Sequence, residues 1–332
     1  MSEPLILRQN EIRELLDPAA CITAVERAFV AYASGRAELP GVIHLDVPEA
    51  RGEVHVKAGY VHGGDCWAVK IATGFPGNSA LGLPANSGMV LAFDPRTGEP
   101  LAVMLDGGYV TDLRTAAAGA VAVKHLGRAT LGTVAVIGTG AQARLQVALL
   151  TQVRPFHELR IWGRRRDAAE QCLADLRGSA GLTGVPISVA ATAEAAVRGA
   201  DLVYTVTASR SPIVPAEWLA QGSLVVAVGS DGADKQELDA GVLAAADVVV
   251  VDSLPQCRRI GELHHALAAG VIDESRVVEL GRVISRTASG RRSDADRIVC
   301  DLTGVGVQDV AAAEVVLQRA RAVRAGASSG EP

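Results

Sequence analysis

The sequence predicts an α/β fold built on a doubly wound parallel sheet, with a separate α+β unit ahead of it. Three observations carry this. A short apolar run, Val134 to Ile137, breaks into Gly138-Thr139-Gly140-Ala141-Gln142-Ala143. Strand-like runs at 133–137, 159–162, 201–206, 223–228 and 247–251 alternate with helical or loop segments, the rhythm of parallel strands joined by crossovers. Residues 39–106 instead show short strands paired across turn residues. At 332 residues the chain is too long for one typical domain.

Composition narrows the function classes. Hydrophobic residues make up 49% and aromatic residues 3%, so Ala, Val and Leu must build the cores. A formal charge of −5 argues against a nucleic-acid or anionic-membrane surface. No apolar stretch reaches the ~18 residues a membrane span needs. The start, MSEPLILRQNEIRELL, lacks the apolar core of a signal peptide, which points to the cytoplasm. The five cysteines (21, 66, 172, 257 and 300) form no Cys-x-x-Cys pair and read as free thiols. The histidines show no ligand spacing, and adjacent His264-His265 read as surface helix, so no metal is expected.

From the N-terminus, Ile12, Leu15, Leu16, Ile22, Val25, Phe29 and Val30 form one stripe of a helix over 11–34. Gly52–Val61 and Cys66–Thr73 flank His62-Gly63-Gly64-Asp65 as a hairpin. Ser87–Phe93 and Pro100–Leu105 form a second around Asp94–Gly98. Thr111 reads as the N-cap of an Ala-rich helix, Asp112–His125. After the βα region, 308–325 is an amphipathic helix expected to pack back on the first domain. The partition is therefore 1–120 with 305–325 as a discontinuous domain, 121–304 as the doubly wound domain, and 326–332 as a disordered tail.

The glycine turn is the strand–turn–helix opening of a Rossmann-type dinucleotide site. Gly138 permits the tight turn, Gly140 lets the backbone approach a pyrophosphate, and Ala143 lets the helix pack. Thr139, Ala141 and Gln142 belong to the same turn. Ligands in open α/β sheets bind beyond the strands' carboxyl ends. Thr205-Val206-Thr207 and Val228-Gly229-Ser230 follow strand ends and are further candidate cofactor contacts, and Thr111, at the start of the Ala-rich helix, is another. The second strand ends Trp162-Gly163-Arg164-Arg165-Arg166, without the acid that holds an NAD ribose. Arg164 suits a 2′-phosphate, which favours NADPH over NADH; the alternative is a solvated basic helix start.

Two lysines need an explanation. If Gly63-Gly64 is a two-residue loop, Lys57 falls opposite Lys70 on one half-buried face, where like charges are unfavourable. Either an anion or a depressed pKa compensates, or one lysine snorkels to solvent, or the turn is longer. Arg114, in the first turn of a helix starting after Thr111, opposes the helix dipole unless it binds an anion. It is either a carboxylate-binding residue or a surface arginine. Asp231 follows a strand end in Val228-Gly-Ser-Asp231-Gly-Ala-Asp-Lys235, and is either a site residue or a turn aspartate.

The runs Val69–Asn78, Thr111–Ala117, Gly138–Gln142 and Gly229–Leu238, in this order and spacing, resemble the ornithine cyclodeaminase/mu-crystallin family over nearly the whole chain. The resemblance implies a Rossmann domain plus an N-terminal substrate and dimerisation domain completed by the C-terminal helix, hence a homodimer. It implies Lys70 and Asp231 as catalytic residues and Arg114 as the substrate-carboxylate residue. Lys57 stands where ornithine cyclodeaminases carry a glutamate. His44 stands roughly where they carry a carboxylate-binding arginine. These departures disfavour ornithine and favour a substrate with a second anionic group. Gly52–Ala72 and Gly107–Asp112 resemble the branch of ectoine-utilisation proteins and iminosuccinate reductases. The implied function is NAD(P)H-dependent reduction of a 2-imino acid, iminosuccinate or another ketimine, to an L-amino acid. The alternatives are a cyclodeaminase-type lyase with tightly held NAD, and an NADPH-dependent small-ligand-binding protein like mu-crystallin.

Overall fold

A computed structural model describes residues 3–179 and 181–328. The chain divides into two compact units. One holds the described residues up to Arg114 and those from Val305 onward; the other runs from Thr115 to Gly304.

The first unit has a seven-stranded sheet: β1 (Leu5–Arg8), β2 (Ala37–Glu38), β3 (Ile43–Val47), β4 (Gly52–Val61), β5 (Trp67–Gly74), β6 (Asn86–Phe93) and β7 (Pro100–Leu105). The order is β1-β7-β6-β5-β4-β2, with β3 also on β4. Only β1 pairs in parallel. Both expected hairpins are present. The β4–β5 register sets Lys57 directly opposite Lys70, but not through a two-residue loop. Gly64 N–H donates to Val61 O (2.9 Å) with Gly63 at φ +80°, so the turn is Val61–Gly64 and the connection runs to Cys66. The longer loop preserves the same register.

The expected helix over 11–34 is two helices, Gln9–Leu15 and Pro18–Ala33. Proline lacks the N–H needed inside a helix but fits its first turn. Here Asp17 caps the second helix by accepting from Ala20 N–H (2.9 Å). The Ala-rich helix starts at Tyr109, not Asp112. Val110 N–H donates to the Asp106 carboxylate (2.8 Å), so Thr111 lies inside the first turn and is not the N-cap. Arg114 is then beyond the first turn, and the helix-dipole argument for it loses its force. The C-terminal helix, Gly306–Ser328, extends past the expected 325. Residues 329–332 of the expected tail lie outside the described residues.

Strand alternation gives the first sheet two unlike faces. One buries Leu5, Leu7, Ala68, Val90, Ala92, Ala102 and Met104, together with Lys57 and Lys70. The C-terminal helix packs on β4, β5 and β6 and on helix Pro18–Ala33. Glycines let it come close: a Cβ on Gly306 would sit 2.4 Å from Ala58 O, and one on Gly59 3.1 Å from Gly306 C.

The second unit is an eight-stranded, all-parallel sheet. Its strands are β8 (Leu131–Ile137), β9 (Phe156–Trp162), β10 (Ile187–Val189), β11 (Leu202–Thr205), β13 (Leu224–Ala227), β15 (Val248–Val251), β16 (Val277–Glu279) and β17 (Ile298–Asp301). A separate parallel pair joins β12 (Arg210–Val214) to β14 (Gln236–Leu238). The main order is β10-β9-β8-β11-β13-β17-β15-β16. Strand order reverses between β8 and β11, the switch point of a doubly wound Rossmann sheet. Strands β11, β13, β15 and β17 are buried along their whole length, as parallel strands covered on both faces must be. Strand β17 was not expected: its three apolar residues, Ile298–Cys300, sit between a charged segment and the buried Asp301.

Candidate functional site

Two sets of residues carry chemistry, one in each unit. In the second unit, Gly138 N–H donates to Trp162 O (2.8 Å) and Val206 N–H to Ile137 O (2.9 Å), which fixes the turn at the switch point. Gly138 has φ +132°, and a Cβ there would meet Val206 O and Cγ2 at 2.7 Å. Gly140 differs: a Cβ would meet nothing within 4 Å. It begins helix Ala141–Val153 without a side-chain cap, and Ala143 is buried. An uncapped helix start behind an open glycine is where a phosphate fits. Arg144 donates to Thr139 O (2.7 Å) and Gly140 O (3.1 Å) and pairs with Asp175.

The strand-end runs are tied together by an acid that sequence reading missed. Glu237 accepts from Thr207 N–H (2.5 Å) and Gly229 N–H (2.9 Å). Glu262 in turn accepts from the amides of Glu237 (2.8 Å) and Leu238 (3.1 Å). Burial pushes the Glu237 carboxyl up to about 7, against the pull of its hydrogen bonds. Burial and the neighbouring Asp301 push Glu262 to about 9. Thr205 and Ser230 are buried, and Val206 and Val228 line the same strand ends. Asp231 sits on the loop after β13, its side chain 50% exposed and ion-paired to Lys235 (2.6 Å). Arg164 is exposed and has no ion-pair partner among the described residues, whereas Arg165 and Arg166 pair with Asp167 and Glu170. His265 is half-buried and contacts Lys235 O (2.8 Å), so that helix face is not simply surface.

In the first unit Lys70 meets a buried cluster of Arg114, Gln308 and Asp309, the last two not singled out from the sequence, with Lys57 across the ladder. Asp309 Oδ1 lies 3.2 Å from Lys70 Nζ and 2.9 Å from Arg114 Nε. Arg114 Nη1 donates to Gln308 Oε1 (2.6 Å). Lys70 is 2% exposed, and Lys57, Arg114, Gln308 and Asp309 are buried with it. Burial first, then Arg114 and Lys57, lower the Lys70 pKa to about 7, opposed by Asp309. Burial raises Asp309, but Arg114, Lys70 and Lys57 outweigh it and hold the carboxyl below its usual range. Both lysines are therefore held inside the unit; neither snorkels. The signal for Asp309 was its place near the start of a helix, in Gly306-Val-Gln-Asp309, which reads as an ordinary N-terminal acid. His44 lies opposite His55 in the β3–β4 ladder, exposed and paired with Asp46 (3.0 Å). It does not join the buried cluster. Among the described residues no group of His, Cys, Asp and Glu is placed to hold a metal ion.

The whole-chain pattern matches one family model, described as the ornithine cyclodeaminase/mu-crystallin family, over residues 2–324. The chain belongs to that family. A Sinorhizobium fredii protein named as an uncharacterised cyclodeaminase is 44% identical, covering 97% of each chain. Among solved structures, an archaeal alanine dehydrogenase dimer with bound NAD superposes with a TM-score of 0.90 at 36% identity, covering 97% of this chain and 98% of that one. The iminosuccinate reductase of Paracoccus denitrificans in complex with NAD+ gives 0.88 at 31% identity, covering 97% and 98%. The family resemblance read from the four motifs is thus borne out, as is the α/β, Rossmann-type fold class.

Proposed function

We propose that this family member is a nicotinamide-dependent oxidoreductase that reduces a 2-imino acid to an L-amino acid. The observation that carries the reading is the buried lysine at β5, brought near neutrality beside a buried arginine. A group titrating near pH 7 suits proton transfer. The NAD-bound relatives and the open Gly140 turn support a nicotinamide cofactor, with Gly138–Gln142 and the strand ends at 205–207 and 228–230 as its contacts. When bound, the nicotinamide supplies the hydride that C2 of the imine accepts. Arg114 holds the α-carboxylate and Lys70 protonates or polarises the imine nitrogen, and the family resemblance makes Asp231 a further proton-transfer residue. Lys57, directly across from Lys70, takes a distal carboxylate, so a dicarboxylic imine such as iminosuccinate is the favoured substrate. Arg164 as the 2′-phosphate contact favours NADPH.

The chain also acts as a homodimer in this reading. The second face of the first sheet presents Leu101, Val103, Met89, Leu91, Val69 and Ile71 half-exposed, with Ile43 63% exposed at its margin. An open apolar sheet face of this kind calls for a second layer.

The 44%-identical relative's name keeps a lyase reading in view. The two differ in stoichiometry: a reductase oxidises one NAD(P)H per product, whereas a cyclodeaminase has no net cofactor turnover. NAD(P)H oxidation with 2-oxo acids plus ammonia, run beside ornithine, decides between them.

A further inference from the structure

We propose that Asp309 is a positioning residue of the reaction, holding Lys70 and Arg114 in one geometry and supplying their counter-charge, while Gln308 fixes Arg114. This rests on the reading of Lys70 as the proton-transfer group.

The C-terminal helix delivers both residues. Its glycine start, Gly306, lies against Ala58 on β4, which sets positions 308 and 309 over the buried face of β4 and β5. One carboxylate oxygen, Oδ1, serves two cations at once. The other, Oδ2, is buried without a hydrogen-bond partner among the described residues, and so is Gln308 Nε2. A buried acceptor and a buried donor left unsatisfied are costly to the fold. A contact that only closed the helix onto the sheet would be cheaper as apolar packing. The pair therefore keeps an unfilled acceptor and an unfilled donor beside the two cations that the reaction uses.

The charges facing Lys70 come from every side. Lys57 lies across on β4, Asp106 precedes the Tyr109–Leu126 helix, Arg114 lies on that helix, and Asp309 on the C-terminal helix. The opposite residue on β6 is Val90 and carries none. Burial, Arg114 and Lys57 all drive Lys70 toward its neutral form, in which it has no proton to give. Asp309 provides the main opposing field, through both its charge and its hydrogen bond.

The test is Asp309→Asn, which keeps the shape and removes the charge. The readout is the pH profile of kcat for NAD(P)H oxidation with a 2-oxo acid and ammonia, against the unsubstituted protein on the same substrate. Activity that needs charged Lys70 falls as pH rises through its pKa. The substitution should move that alkaline limb down by about one pH unit or more. The loss should be roughly tenfold or greater at pH 8 and smaller at pH 6, with cofactor affinity unchanged. Asp309→Glu, which restores the charge, should return the limb while raising KM. It also serves if the Asn variant does not fold: a limb displaced in the Glu variant overturns the proposal. An unshifted limb in Asp309→Asn, with Lys70→Ala inactive, overturns it too. If Lys70→Ala itself keeps near-normal turnover, it is the Lys70 reading that fails.

Discussion

The two sheets place function in opposite ways. The parallel sheet is covered on both faces, so no side chain in its middle can meet a ligand. Its candidate contacts lie beyond the strand ends, on backbone held by Gly138, Gly140 and Glu237. The antiparallel sheet has unlike faces, and its candidate chemistry lies mid-strand, on Lys57 and Lys70 beneath a helix. The first arrangement recognises a ligand through backbone geometry, the second through buried charge. A ligand group common to many enzymes suits the former, and a particular substrate the latter, because changing a mid-strand side chain leaves the fold's connections intact.

The contrast between Gly138 and Gly140 can break the first half of this comparison, and carries the largest expected effect. Gly138→Val forces a side chain into Val206 at positive φ and should destabilise the second unit by about 3 kcal/mol or more. A Cβ at Gly140 meets no atom within 4 Å, so thermal unfolding of Gly140→Val should be unchanged while calorimetry detects no NAD(P) binding. Unchanged cofactor affinity in a folded Gly140→Val protein removes the phosphate role of that turn.

Leu91→Glu tests the open face of the antiparallel sheet. Leu91 is half-exposed in the single chain, so the fold should tolerate the carboxylate. A second sheet packed over it would not. Sedimentation at micromolar concentration should show the unsubstituted chain as a dimer and the variant as a monomer. A monomeric unsubstituted chain ends the dimer proposal.

Arg164→Ala sharpens the cofactor side with the smallest effect. It should weaken NADPH by about 1.5–3 kcal/mol, the worth of a charge-assisted contact, and leave NADH nearly unchanged. Equal losses return Arg164 to a solvated helix start.

What the sequence made legible follows the same division. The glycine turn is local: its φ values, small residues and flanking strand lie within about ten residues of one another, so the strand–turn–helix at the switch point was readable. The Lys57–Lys70 pair was readable because alternation fixes which residues share a face once register is known. The five-residue connection changed the turn but not that register. Asp309 and Gln308 were not readable, since they meet Arg114 from about 195 positions away through a helix whose first residues look like any capped start. Glu237 escaped for a related reason. A carboxylate at a strand edge reads as solvent-facing unless the amides it accepts from are already known. Strand β17 was hidden because only Ile298–Cys300 are apolar, between a charged segment and Asp301. The segment 11–34 misled because the apolar stripe continued across Asp17-Pro18, where the backbone could not.

The central claim is that this chain passes hydride to an imine formed from a 2-oxo acid. The direct measurement is NAD(P)H oxidation by the purified protein with oxaloacetate plus ammonia, with pyruvate plus ammonia and with ornithine. Cofactor oxidation should be stoichiometric and faster with oxaloacetate than with pyruvate, Lys57→Ala should narrow that gap, and ornithine turnover should be negligible. Ornithine deamination without net cofactor oxidation, or a preference for a monocarboxylic substrate that Lys57→Ala leaves untouched, would contradict the claim.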